Sequence, residues 1–352
     1  MLIVLIVIIG LSLLILGHEA GHFAVAKLFG LKVDEFGFGF PPRAFAKKRG
    51  ETEYSLNWLP FGGFVRIAGE NGEFGLENES ATAATTSITT DKNHLFFAQP
   101  AWKKSLVILA GVTVNFIIGW FLISAVLMVG VPKALIISDV QPNSPAAQIG
   151  IQPGDIVKNY TIAKDFTSFI NEHRGQLINL EIKRGDQDLS LPVVPRVQTK
   201  PGEGAVGVIL VEGGEDKRGV FAALGEGLRR AVLISGLTFQ SLYELIKTLF
   251  FKGALLPGVV GPVGIFLVAA ETGKIGLIYL VQLISLISLN LAVINLIPFP
   301  ALDGGRFVMI LVEKIKGSPI SKKTEVAVNA LGFLFLIFLM IVLTARDVGK
   351  LF

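Results

Sequence analysis

The apolar residues of this chain gather into four bunches separated by polar stretches. Each bunch matches the roughly 20 residues that a helix needs to cross a bilayer. They run from Leu2 to Leu28, Leu106 to Val129, Leu277 to Ile297 and Val326 to Leu343. Each is predicted to be a transmembrane helix, the element that satisfies its own backbone hydrogen bonds inside lipid. The first lacks a basic leading region and a small-residue cleavage site and continues straight into Gly17-His18-Glu19, so it reads as a retained helix rather than a removed signal peptide.

Between the second and third bunches the period changes. ALIISDV, QLINLEIKR and DLSLPVVP alternate apolar with polar residues and are expected strands. Among them, Ser144 and Pro145 suit an N-cap and the first position of a short helix, Gly150 its stop, and Pro153-Gly154-Asp155 a tight turn. In residues 218 to 251 apolar positions recur at helical spacing but Arg229, Arg230, Glu244 and Lys247 interrupt them, which predicts helices lying on the membrane surface. Val33 to Glu70 carries short alternating runs broken by Gly and Pro, and residues 71 to 90 have linker composition.

The expected division is therefore 1–30 (first transmembrane helix), 31–70 (β-element at the cytoplasmic face), 71–104 (linker) and 105–130 (second helix). It continues with 131–198 (an inserted α+β domain), 199–275 (linker and surface helices), 276–303 (third helix), 304–325 (cytoplasmic loop) and 326–352 (fourth helix and tail). The fold class is a polytopic α-helical membrane protein of about four transmembrane helices, with an inserted extracytoplasmic domain and a small membrane-associated β-element.

Composition agrees. The chain is 51% hydrophobic and 17% charged, against roughly 25% charged in a soluble domain, and its mean hydropathy is +0.62. The net charge of +4 matters mainly for orientation. Lys27, Lys32, Arg43, Lys47, Lys48 and Arg49 follow the first bunch, and Lys103 and Lys104 precede the second. Arg306, Lys314, Lys316, Lys322 and Lys323 lie between the third and fourth. Both segments are expected in the cytoplasm, with both termini outside. No basic patch interleaved with aromatics marks a nucleic-acid surface, so the expected partner is the bilayer. The absence of cysteine leaves histidine and carboxylate as metal ligands.

His18, Glu19 and His22 form H-E-x-x-H at the end of the first bunch, a zinc-protease signature. At i and i+4 two imidazoles project from one helix face toward one tetrahedral ion, and Glu19 sits about 100° away, placed for general-base work. An ionisable residue at the centre of a membrane helix costs about 2.5 to 3.5 kcal/mol, less near its ends. A metal in a polar cavity offsets that cost, whereas a buried polar network of the same three residues is the bland alternative. A catalytic zinc usually takes three protein ligands. His94 lies in the linker and His173 in the inserted domain, so Asp303 in PFPALDGGRF is the expected third ligand, at the matching end of the third bunch. A plain Asp-Gly turn also accounts for LDGG, and a turn can present a ligand.

The segment NSPAAQIGIQPGDIV resembles PDZ domains in the circular arrangement common in bacterial proteases, which bind extended peptides at a sheet edge. A folded spacer with an unused groove is the alternative. With GHEAGHFAVAKLFG, NLIPFPALDGGRF and GPVGI in that order, the chain resembles the site-2 protease family of intramembrane zinc metalloproteases, most closely its bacterial RseP-type branch. The departure is a single PDZ-like domain where the enteric branch has two.

The resemblance implies that His18, His22 and Asp303 bind Zn2+ and that Glu19 is the catalytic base in peptide hydrolysis within the membrane. It implies that Asn290, Asn295, Pro298 and Pro300 help hold an unwound substrate, although helix packing equally explains Asn295. It also implies that Gly37 and Gly39 of FGFGF let a substrate strand approach a sheet edge, with a tight hairpin as the alternative. Asn115 matches a family asparagine and reads by default as interhelical packing. Expected substrates are single-span membrane proteins, such as anti-sigma factors already trimmed by another protease, or remnant signal peptides. The PDZ domain would meet peptide ends or the substrate ectodomain. The expected location is the bacterial inner membrane, with the active site toward the cytoplasm. A catalytically silent scaffold would have lost a ligand and none is lost; a transporter would show inverted repeats, and none is found.

Overall fold

A computed structural model of the chain describes residues 2–70, 92–185, 187–200, 202–252 and 259–349. The linker read at 71–90 lies outside the described residues. In chain order the elements are α1 (Leu2–Leu28), β1 (Val33–Arg49), β2 (Thr52–Ile67), α2 (Ala101–Val129), β3 (Val131–Val140), α3 (Pro145–Gln148), β4 (Ile156–Val157) and α4 (Ala163–Glu172). There follow β5 (Ile178–Arg184), β6 (Gln187–Val193), β7 (Val208–Glu215), α5 (Val220–Lys252), α6 (Pro262–Ile275), α7 (Leu277–Leu296), α8 (Asp303–Lys316) and α9 (Lys322–Gly349).

Among the described residues, four helices are long and apolar enough to cross a membrane: Leu5–Leu28, Ala101–Val129, Leu277–Leu296 and Lys322–Gly349. Leu331, Phe333, Leu334 and Phe338 of α9 are exposed, a surface that suits lipid and not water. The chain divides into two compact units, one built mainly on residues 121–230 and 265–283, the other on 5–120, 231–264 and 284–352.

The first unit contains a five-stranded antiparallel sheet of order β6-β5-β4-β3-β7. Leu135, Ile137, Phe166, Leu180 and Ile182 form the centre of its core. The Ser144 hydroxyl accepts the Ala147 N–H at 3.1 Å, and Pro145 opens α3, as the turn chemistry predicts. Gly150 stops that helix with φ +79°. Asp155 closes the following turn: Oδ2 accepts from the Gln152 N–H at 2.9 Å and from Arg184 at 2.7 Å, and Oδ1 accepts from Arg184 Nε at 2.7 Å. Asp155 is 1% exposed, so Asp155→Ala strips a buried carboxylate from two donors. The guanidinium stays partly in water, which keeps the expected loss at about 3 kcal/mol, the lower end for breaking a buried pair. Thermal unfolding of the two proteins checks it.

The sequence expectation ended this domain at residue 198, and the structure carries it to Glu215. Strand β7 pairs with β3 from Val131↔Glu215 to Val140↔Val208. Its run VILVEGGE alternates weakly and carries two glycines before its last residue, and its partner strand lies far earlier in the chain, a pairing that local patterning cannot show. The stretch 218–251, expected as surface helices, holds one helix, α5, of 33 residues from Val220 to Lys252. At its start Arg230 donates to Glu215 at 2.6 and 3.1 Å and to Glu226 at 3.0 Å. The Arg229 and Arg230 guanidiniums hold the Glu226 carboxyl down at about 2.

In the second unit α1 and α2 approach closely. A Cβ at Gly21 would stand 2.7 Å from the Ala110 carbonyl oxygen, and Gly17 and Gly21 form a small-xxx-small stripe of the kind that lets membrane helices touch. Ala26, Leu31, Val33, Ile67, Val107 and Ile310 are buried together beside this contact. β1 and β2 form a two-stranded sheet whose bulged register lets residues 35–38 face both 53–56 and 63–66. The segment expected as a cytoplasmic loop at 304–325 holds α8, which Gly317 ends with φ +76°. The paired glycines at its start suit a turn in isolation, but here they let the helix start against backbone carbonyls.

Candidate metal centre

His18 and His22 lie one turn apart on α1, their ring centroids 4.8 Å apart. Their Nε2 atoms are 3.2 Å apart, and Asp303 Oδ2 lies 3.0 Å from the first and 3.3 Å from the second. A tetrahedral zinc with bonds of 2.0–2.1 Å separates its ligand atoms by about 3.3–3.4 Å, so the three atoms already stand at nearly that spacing. His18, His22 and Asp303 are also the metal-ligand cluster found among the described residues. Asp303 Oδ2 is buried and accepts no well-formed hydrogen bond. A buried carboxylate oxygen without a donor, beside two imidazole nitrogens, is a donor set that fits a cation.

Helix α2 sets the imidazoles. His22 Nδ1 donates to the Val107 carbonyl at 2.8 Å, which leaves the Nε2 lone pair free for a metal. One turn on, a Cβ at Gly111 would lie 2.5 Å from His22 Nε2 and 2.7 Å from His18 Cε1. Another turn on, the Asn115 amide meets His18 Nδ1 at 3.4 Å. The Asn115 carbonyl also accepts from Ser288 Oγ at 2.7 Å, so this asparagine joins helix packing to the centre. Val107 and Gly111 were not singled out from sequence. The readable signal was Gly17-x-x-x-Gly21, which marks the face of α1 that a second helix must approach.

Asp303 is the first residue of α8, not part of an Asp-Gly turn of positive φ; the left-handed residue is Ala301, with φ +71°. Gly304 and Gly305 are required because a Cβ at either would stand 2.2 Å from the carbonyl oxygen of Ile297 or Phe299. The close return of α8 onto the end of α7 brings the carboxylate to α1.

A cavity of about 190 Å³ opens at the centre, lined by His18, Glu19, His22, Val65, Asp303 and others. Its wall includes the ion pair of Arg306 with Glu70. Glu19 faces Gly63, where a Cβ would lie 3.3 Å from its Cγ. Asn290 and Asn295 lie on α7, and Pro298 and Pro300 in the loop after it; none of the four is among the residues lining this cavity. Asn290 Oδ1 accepts from Thr238 Oγ1 of α5 at 2.7 Å. The close approaches at Gly37 and Gly39 are to their own sheet: the Phe64 ring and Ser55 Oγ for the first, the Leu59 and Asn57 carbonyls for the second. His94 and His173 bond the Gly30 and Phe169 carbonyls and do not join the centre.

A family model described as peptidase family M50 matches residues 6–339. The chain belongs to that family. A Clostridium perfringens protein provisionally named a zinc metalloprotease is 34% identical, with 98% of each chain covered. The regulator of sigma-W protease RasP of Bacillus subtilis is 28% identical, with 96% of each covered. The zinc metalloprotease RasP of Oceanobacillus iheyensis is 27% identical, with 95% of this chain and 96% of that one covered. As an M50 peptidase with four apolar helices of spanning length, the chain is a zinc metalloendopeptidase of the site-2 protease family and a multi-pass membrane protein.

Proposed function

We propose that this M50 peptidase cuts peptide bonds inside the transmembrane segments of single-span membrane proteins, with His18, His22 and Asp303 as zinc ligands and Glu19 as the base. The observation that carries the reading is the triangle of two Nε2 atoms and one Oδ2, with edges of 3.0 to 3.3 Å, at one end of helices long enough to span a bilayer. Zinc, when bound, supplies Lewis acidity that stabilises negative charge developing on the scissile carbonyl. Glu19 takes a proton from the attacking water and returns it to the leaving amine nitrogen. Val107 and Asn115 hold the two imidazoles in place while this occurs.

A helical substrate must unwind and have its freed backbone groups satisfied. The stretch Gly63 to Ile67, of which Val65 and Ile67 line the cavity, supports a sheet-edge docking of that strand beside Glu19. The same function for Gly37 and Gly39 has less support, since both are taken up by their own sheet. Asn290, Asn295, Pro298 and Pro300 would hold the strand farther from the reacting bond. In this reading the five-stranded domain is a single PDZ domain that meets peptide ends or the substrate ectodomain; the Ser144 cap and the sheet order support it. The name of the Bacillus subtilis relative ties that protein to sigma-W regulation, which supports anti-sigma factors as one substrate class, beside remnant signal peptides. The basic segments on either side of the spans support a location in the bacterial inner membrane with both termini outside and the centre toward the cytoplasm.

The test is cleavage of a single-span substrate by the purified protein in proteoliposomes, with product ends read by mass spectrometry. Cleavage within the transmembrane segment, lost with 1,10-phenanthroline and restored by added zinc, is expected. Cleavage that survives chelation, or that falls only outside the membrane segment, would overturn the reading.

A further inference from the structure

We infer that Asn329, on the fourth membrane helix, is a positioning residue for the metal centre: it locks the loop that presents Asp303. This rests on Asp303 being the third ligand. The starting observation is Ala301, two residues before it. Among the described residues, three that are not glycine have positive φ, and the other two are asparagines, whose short polar side chains bond locally and tolerate that region. Alanine has no such device: its left-handed conformation sits in a turn that the Leu302 N–H closes on the Phe299 carbonyl at 3.2 Å, with Pro300 and Ala301 at the corner, and that turn is packed from outside.

Helix α9 holds it. Asn329 Oδ1 accepts the Ala301 N–H at 3.2 Å. Three residues on, Gly332 leaves room for Pro300: a Cβ there would lie 2.5 Å from Pro300 Cβ and 2.6 Å from its carbonyl oxygen. Another three on, the Phe335 ring packs on Phe299 at 5.6 Å. Residues 329, 332 and 335 thus form one stripe against residues 299 to 301. The two buried residues of α9 are Gly332 and Asp347, and Asp347 accepts the Gly261 and Gly264 N–H groups at 2.8 Å each. Where α9 turns inward, it does so at this loop and at that distant cap.

From Ala301 the chain passes through an extended Leu302 and arrives at Asp303. A metal site tolerates about ±0.2 Å in its ligand distances. If Ala301 relaxed to the right-handed region that alanine prefers, the direction of the next two residues would change and Oδ2 would leave its place between the imidazoles. The Asn329 amide limits that freedom by fixing, through the Ala301 N–H, the Pro300–Ala301 peptide plane from which the chain turns toward Leu302 and Asp303.

Chelator competition on the purified full chain reads zinc affinity directly, and the absorption of the cobalt-substituted protein reads ligand geometry. Asn329→Ala is expected to weaken zinc about 10-fold, the lower end for the loss of a supporting group around a metal site. Asn329→Asp keeps the acceptor oxygen and is expected to retain native affinity. Asn329→Ala combined with Ala301→Gly is expected to recover most of the loss, because glycine adopts the left-handed conformation without a Cβ penalty. Native affinity in Asn329→Ala overturns the inference. So does a loss that neither the aspartate nor the glycine restores, since that would mean general disruption of helix packing. Asp303→Asn is measured alongside: native zinc affinity in that variant brings down the ligand assignment itself, whereas zinc lost there but kept in Asn329→Ala brings down only the role of Asn329.

Discussion

Glu19→Gln is expected to lower cleavage of a transmembrane substrate by about 10²- to 10⁴-fold, the range that a positioned acid–base group contributes, while zinc content stays at the native level. The separation follows from geometry. The ligand atoms are His18 Nε2, His22 Nε2 and Asp303 Oδ2, and Glu19 lines the same cavity without belonging to that set. Glutamine keeps the size and the contact with Gly63 and removes the ability to take a proton, so binding of the strand should change little and the chemical step should collapse. Rates in proteoliposomes and metal analysis of the same preparations decide it. Equal rates for the two proteins would remove Glu19 from the chemistry, and loss of zinc with the rate would make it a structural support of the centre.

The same four residues illustrate what could be read from the chain alone. The spacing of His18, Glu19 and His22 is a property of one helix and so is visible locally. Asp303 is legible as the carboxylate at the matching end of another apolar bunch, which hydropathy and charge alone reveal. The Ser144 cap and the Gly150 stop were legible because turn chemistry is written within four or five residues. What escaped was everything that depends on distant backbone meeting backbone. Strand β7 joins the sheet through β3, and nothing in VILVEGGE names that partner. The glycines at 304 and 305 looked like a turn, yet they serve a helix that must come against the carbonyls of 297 and 299. Val107 enters through its carbonyl, which any residue would supply, so its side chain carries no signal at all.

Gly111→Ala should show most sharply how much of the centre is held by backbone proximity. The added methyl would stand 2.5 Å from His22 Nε2 and 2.7 Å from His18 Cε1, in the space the two rings use to face the metal. Helix α2 could make room only by drawing away from α1, which would give up the close packing of the Ala110 carbonyl on Gly21. The rings must therefore turn, and His22 would also lose the Val107 carbonyl that fixes its tautomer. Zinc affinity is expected to fall about 100-fold, the upper end for disturbed supporting groups. The helix itself should tolerate the change, since alanine is favoured over glycine in a helix by about 1 kcal/mol. Gly10→Ala is the matched comparison on α1: its methyl would meet the Ile284 side chain, closest at the Cδ1 tip at 2.8 Å, a flexible end that can rotate aside. Zinc affinity should be native there and thermal unfolding similar in both variants. If Gly111→Ala binds zinc as tightly as the native chain, the imidazoles are not confined by α2. The spacing of the three ligand atoms would then be set by α1 and the Asp303 loop alone.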